Sequence, residues 1–403
     1  MNKNLLIVES GSQFYRRYIM EAAVNMGVNI ILITSKQVLW EHELCKKIVF
    51  ADTKNPVDAY QKLSRCIDLK YLDGILTYDE PSIISTSQLA QMLELPFISP
   101  GTALKARNKS LMRQSFKLNN LLTPKFVEIN MVDELAKKLE EFELPVVIKP
   151  TAGMASVGVI KIEHKSQIPQ ILEKIRGIQF EDVSSFLIEE YLEGNEVSVE
   201  SIVCNGNVTH FGITQKYTCA EPYFEEIGHS FPAILPEKLE GQILKTAENG
   251  IKALGINIGV THTEIRLTPK GPAIVEIGAR LGGDKIPYLI KLATGIDVAK
   301  EAIKVAIGEI RAVDIDKKLT KGSAIKFIIP KDGAEILEYP DLKKISNISG
   351  VEELYFKHRL GALRLPPEKF FTRLGFVTAV GDSPKEAYKI ASEAVEALDI
   401  KYV

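Results

Sequence analysis

Residues 259–284 restrict the fold of this chain more than any other stretch. Two runs of alternating apolar and polar residues, 260–267 and 273–279, flank Pro269-Lys270-Gly271-Pro272 and predict a β-hairpin. Side chains alternate faces along a strand. His262, Glu264 and Arg266 therefore share one face of the first run, and Glu276, Gly278 and Arg280 share one of the second. Where those faces coincide, Glu264 and Glu276 converge beside an arginine. Two carboxylates next to a guanidinium suit magnesium and a phosphate. A solvated hairpin face with ordinary salt bridges is the competing reading, and this stretch alone leaves both open.

A chain of 403 residues exceeds what one core organises, so two or three domains are expected. Apolar content of 45% with 25% charged residues describes a globular protein. A net charge of −2 gives no electrostatic case for nucleic acid, and no Lys/Arg block points to an anionic membrane. Cys45, Cys66, Cys204 and Cys219 lack metal or redox spacing, which fits the reducing cytoplasm. Residues 5–8 read as a first strand rather than a signal peptide, and no run reaches the 18 or so apolar residues of a membrane span.

Strand-like runs at 5–8, 29–33, 48–50, 74–77 and 97–98 alternate with a helix at 17–26 and further helical segments, predicting a small parallel α/β domain. Its first turn lacks G-x-G-x-x-G, which argues against a dinucleotide site. Asp79-Glu80 follows a strand at the edge where such folds place ligands, and a helix cap is the expected role. A basic helix is expected over 103–119, a strand over 125–129 and an amphipathic helix over 132–142. Residues 144–160 then run from an apolar strand ending in Lys149 into a loop of small residues containing Gly153, Ser156 and Gly158. Such a loop lets backbone N–H groups close on phosphate oxygens, although it lacks the Lys-Ser/Thr of a Walker A loop.

Residues 186–200 read as strand, Glu-Gly-Asn turn and strand, with Glu189, Glu190, Glu193 and Glu196 within them. A long loop is expected over 216–234, carrying Glu226 and His229, followed by a helix over 237–254. Helix also dominates 286–308. Strands and a closing helix at 383–398 suggest a small C-terminal α+β domain.

These pieces, in this order, resemble the ATP-grasp superfamily over residues 1 to about 310. The resemblance rests on Lys109, the strand ending at Lys149 with its glycine loop, the 189–196 segment and the two-glutamate hairpin. It implies an α/β and α+β multidomain chain: an N-terminal parallel α/β domain (1–105), a central ATP-grasp fold (106–310) and a small C-terminal α+β domain (311–403). It further implies that Lys109, Lys149 and the Gly153–Ser156–Gly158 loop hold the phosphates of ATP. Glu189 would accept from the adenine amino group, beside Glu190, with the backbone of Leu192 pairing to the ring and Glu196 to the ribose. Glu264 and Glu276 would bind Mg2+ or Mn2+, and Arg280 would stabilise the acyl phosphate and the tetrahedral species after it. Many relatives carry Asn two residues after the second glutamate. Here that residue is Gly278, so a backbone carbonyl or water would have to serve.

Within the superfamily the segments around Glu226 and His229, around His262 and Glu264, and from Glu276 to Asp284 look most like the L-amino acid ligases. That implies an ATP-dependent carboxylate–amine ligase acting on amino acids, releasing ADP and phosphate. Its partners would be small molecules, with no nucleic acid and no membrane, and a homodimer is a candidate assembly. Glu226, His229 and Asp284 would contact substrate. Asp284 would meet an ammonium group or, alternatively, cap the helix that follows. His262 is expected as a packed neighbour rather than a ligand. A purine-biosynthetic ATP-grasp enzyme and a non-catalytic ATP-binding protein are the alternatives.

Overall fold

The computed structural model describes residues 2–131, 134–153, 157–177, 185–219, 224–309, 320–329, 336–338, 340–357 and 373–402. Ser156 lies outside them. The N-terminal apolar runs form a four-stranded parallel sheet in the order Cys45–Phe50, Asn29–Thr34, Asn4–Val8, Gly74–Leu76. Continuous apolar runs such as residues 5–8 are buried on both faces, as a helix-covered parallel sheet requires. The Asp79-Glu80 pair leaves the carboxyl end of this sheet.

Four antiparallel strands make a second sheet: Phe126–Ile129, Phe186–Glu190, Val146–Pro150 and Ile160–Ile162. The strands on either side of the loop after Lys149 pair with each other, and Gly158 adopts the left-handed conformation (φ 76°). A third sheet of eight strands runs Gly271–Gly278, Gly259–Thr268, Asn195–Cys204, Asn207–Thr218, Glu226–Phe231, Gly322–Ile328, Gly375–Gly381 and Val351–Phe356. C-terminal strands therefore extend the sheet that carries the two-glutamate hairpin. One apolar core lies between this sheet and the N-terminal one, joining Leu5 and Ile7 to Ile202, Phe231 and Ile325.

Several expectations are corrected. The basic helix breaks at Asn108 into Pro100–Arg107 and Lys109–Leu118. Asn108 is extended and its side chain accepts from Leu111 N, so Lys109 opens the second helix. The strands either side of Tyr191–Gly194 belong to different sheets rather than to a hairpin. The expected loop over 216–234 is largely strand: Asn207–Thr218 pairs with Glu226–Phe231, placing His229 opposite Lys216. Residues 220–223 lie outside the described residues. The amphipathic helix expected over 132–142 is limited, among the described residues, to Leu135–Lys138 and a 3-10 turn. No described helix is long and apolar enough to cross a membrane.

Candidate active site

The 259–278 hairpin forms with Glu264 directly opposite Glu276 and His262 opposite Gly278. Beyond Glu264 the register shifts by one residue. On its other side the hairpin meets the Asn195–Cys204 strand, where His262 faces Glu200 and Arg266 faces Glu196. Both cross-strand pairs are in contact, at 2.5 Å and 3.1 Å. His262 also reaches Glu264 at 3.3 Å. Burial opposes a charge on His262, but Glu200, reinforced by Glu264, lifts its pKa to about 10. It is a packed imidazolium holding Glu264.

Lys109 and Lys149 both line one cleft. Lys109 Nζ donates to Gly153 O at 3.0 Å and pairs with Glu276 at 2.9 Å, tying the glycine loop to the hairpin. Lys149 pairs with Glu189 at 2.5 Å. Burial pushes Lys149 down to about 8, only partly countered by Glu189. Glu189, expected as an adenine acceptor, pairs with Arg113 (2.6 Å and 3.2 Å) as well as with Lys149. Glu190 is half-exposed beside Lys270 at 3.3 Å. Arg266 fastens the inter-sheet link, donating to Leu192 O at 3.3 Å and Gly194 O at 3.4 Å while pairing with Glu196. Glu80, Gly153, Leu192, Glu196, Glu226, Glu264, Glu276 and Arg280 all line this cleft, as do both lysines.

Arg280 is held by Glu80, which is no helix cap but a buried carboxylate between Arg280 and Arg107 (2.9 Å). Arg107 continues to Ala152 O at 3.2 Å. Burial would raise the Glu80 pKa, but Arg280 and Arg107 bring it down to about 2. Gly278 sits against this pair: a Cβ there would lie 3.4 Å from Glu80 Oε2 and 3.6 Å from Arg280 Cζ. The space beside residue 278 thus belongs to the Glu80–Arg280 pair.

His229 and Asp284 do not line the cleft but meet next to it, at 3.0 Å. Asp284 does not cap the Ile286–Thr294 helix, whose N-cap is Lys285 without a side-chain bond. Its carboxylate accepts instead from both Nη atoms of Arg373, at 2.6 Å and 2.9 Å. Asp284 and Lys285 are both left-handed (φ 52° and 60°), a conformation that non-glycine residues hold only when neighbours enforce it. Burial opposes the Asp284 charge, but Arg373 and His229 keep its carboxyl well below the usual range. Arg373 also donates to Glu226 O at 3.1 Å. Glu226, with Glu196 and Glu264, surrounds the buried ammonium of Lys216. Sequence reasoning missed Lys216 and Arg373 as site residues; the alternation that puts Arg266 beside Glu264, and the strand edge that precedes Asp79-Glu80, were the signals for Arg266 and Glu80.

The ATP-grasp domain family matches residues 142–288, the ATP-grasp N-terminal domain 20–97, and the L-amino acid ligase C-terminal domain 2 matches 326–403. The chain carries an ATP-grasp domain with its N-terminal partner domain. It is most like the L-amino acid ligase group. Carnosine synthase 1 of Homo sapiens is 25% identical over 96% of this chain and 49% of its own length. Alanine–anticapsin ligase of Bacillus subtilis (strain 168) is 25% identical over 65% of this chain and 58% of its own length. The chain therefore spans between about half and three fifths of these two relatives. The crystal structure of L-amino acid ligase from Bacillus licheniformis shares the fold, with a TM-score of 0.87 over 100% of this chain and 99% of that one at 24% identity.

The residues of this ATP-grasp cleft fit a metal and a nucleotide. Glu264 and Glu276 offer hard oxygen donors from adjacent strands, both partly open to the cleft, and no described residue lining it carries sulfur. Lys109 and Lys149 supply the cationic wall that a triphosphate needs.

Proposed function

We propose that the chain is an ATP-dependent carboxylate–amine ligase that activates an amino acid as its acyl phosphate and joins it to an amine, forming a dipeptide or related amide. The observation that carries this reading is the convergence of Lys109, Lys149, the Glu264–Glu276 pair and the Glu80-anchored Arg280 on one cleft. Lys109 and Lys149 hold the phosphates, the Gly153–Gly158 loop closes over them, and the Tyr191–Glu196 link receives the adenine and ribose. Glu264 and Glu276 hold magnesium or manganese, which when bound neutralises charge between the phosphates. Arg280, fixed by Glu80, offers its remaining donors to charge that develops as the carboxylate is phosphorylated and the amine attacks. Glu226, His229, Asp284 and Arg373 border the substrate end.

The division at 105/106 and 310/311 belongs to the same proposal, as does a cytoplasmic location, which the four free cysteines support. Phosphate release from ATP, measured over the natural amino acids singly and in pairs, tests the reading. At least one pair should release phosphate far above the rate with ATP alone. A uniform baseline across the panel, with ATP still bound, would favour a non-catalytic nucleotide-binding protein.

A further inference from the structure

The Lys216 side chain is buried beside the cleft, 2% exposed, and it takes no part in the roles assigned above. Its ammonium stands 2.5 Å from Glu196, 2.6 Å from Glu226 and 2.8 Å from Glu264. These carboxylates come from three different strands, and their nearest oxygens lie within 4.8 Å of one another, a spacing that would hold a divalent cation. Each has a second basic neighbour: Arg266 at Glu196 (3.1 Å), His229 at Glu226 (3.5 Å) and His262 at Glu264 (3.3 Å). Arg373 adds a more distant one at Glu226, 3.8 Å. The ammonium therefore occupies the position of an ion in a cluster that includes one carboxylate assigned to metal and one assigned to the ribose.

We propose that Lys216 is a tethered counter-cation that keeps free divalent ions out of the Glu196–Glu226–Glu264 cluster and releases Glu264 when metal and nucleotide arrive together. This inference rests on the nucleotide and metal reading of the cleft. A hydrated divalent ion alone would enter beside an ammonium with nothing to offer it, so like charges would be forced together in a poorly hydrated site. A metal carried on a triphosphate brings anionic oxygens, which accept from Nζ in place of Glu264. Hydrogen bonds and charge are then exchanged rather than lost. Metal and nucleotide binding become coupled through one side chain. A purely structural role for Lys216 makes no such coupling.

The experiment measures Mn2+ alone binding to the nucleotide-free protein, by electron paramagnetic resonance of the free ion, with thermal unfolding in parallel. Wild-type protein should bind Mn2+ weakly and unfold at the same temperature with or without it. Lys216→Met and Lys216→Gln should bind Mn2+ at least tenfold more tightly and be stabilised by it. Adding Glu264→Gln to either should abolish the gain, and Lys216→Arg should behave as wild type. Tight Mn2+ binding by the wild type without nucleotide overturns the proposal, so it can fail even if neither neutral variant folds. Unchanged Mn2+ affinity in the folded neutral variants overturns it as well. Manganese–ATP binding to wild type is measured alongside. Its absence would overturn the nucleotide reading and this inference with it, whereas its presence without a Mn2+ gain in the variants overturns the role of Lys216 alone.

Discussion

Burial has brought the Lys149 pKa to about 8, against an ordinary value of 10.5, so the ammonium is mostly charged at neutral pH. The unfolded chain therefore binds more protons between those two values. The cost of burying this ammonium is present below about pH 8 and is relieved as pH rises toward 10.5. Phosphates favour the charged form. ATP affinity should accordingly be level below about pH 8 and weaken above it, with a proton taken up on binding near pH 8.5. Calorimetry in two buffers of different ionisation heat measures that proton, and a wild-type affinity flat through pH 9 would contradict the assignment. Lys149→Arg should remove the dependence. Lys149→Ala should raise the ATP dissociation constant roughly ten- to a hundredfold, since a charged hydrogen bond contributes about 1.5–3 kcal/mol. Arg280→Ala should leave that constant nearly unchanged and collapse turnover, because its charge acts on the transition state. Glu80→Gln should follow Arg280→Ala more weakly, lowering kcat by roughly ten- to a hundredfold through misplacement of the guanidinium.

Between sheets, the Tyr191–Gly194 link sets the nucleotide end of the site. Gly194 adopts a φ of 139°, and a Cβ there would lie 2.1 Å from the carbonyl oxygen of Leu267. Gly194→Ala should therefore displace Leu192 and Glu196, weakening ATP binding severalfold while the circular dichroism stays native. Unchanged affinity would mean that the link does not position the nucleotide. The hairpin was legible in the sequence because alternation fixes which side chains share a face, and a Gly-bearing turn fixes where the strands meet. That logic placed Glu264 opposite Glu276. It failed at residues 189–196, where a Glu-Gly-Asn segment has the local chemistry of a turn but serves as a crossing between sheets. It failed again at 216–234, where Pro, Gly and Glu masked two strands that pair with each other and, on their outer sides, with Asn195–Cys204 and Gly322–Ile328.

Across the whole molecule the site is assembled by ion pairs between distant segments: Glu80 with Arg107 and Arg280, Lys216 with three glutamates, and Asp284 with Arg373. Such contacts leave no periodic trace, so the sequence exposed the ligand-facing carboxylates and lysines but not the groups that hold them. Asp284→Asn and Arg373→Ala should each raise the Michaelis constant for an amino acid substrate about tenfold or more with little effect on ATP. The double variant should cost no more than the worse single one, because each alone already breaks the pair; additive losses would show two independent roles. The measurement that bears most directly on the central claim is isotope transfer. An amino acid labelled with 18O in its carboxylate, turned over with ATP and an acceptor, should deliver one 18O into each phosphate released, alongside one ADP and one amide bond. Phosphate free of label, or label found in AMP, would contradict activation through an acyl phosphate in this cleft.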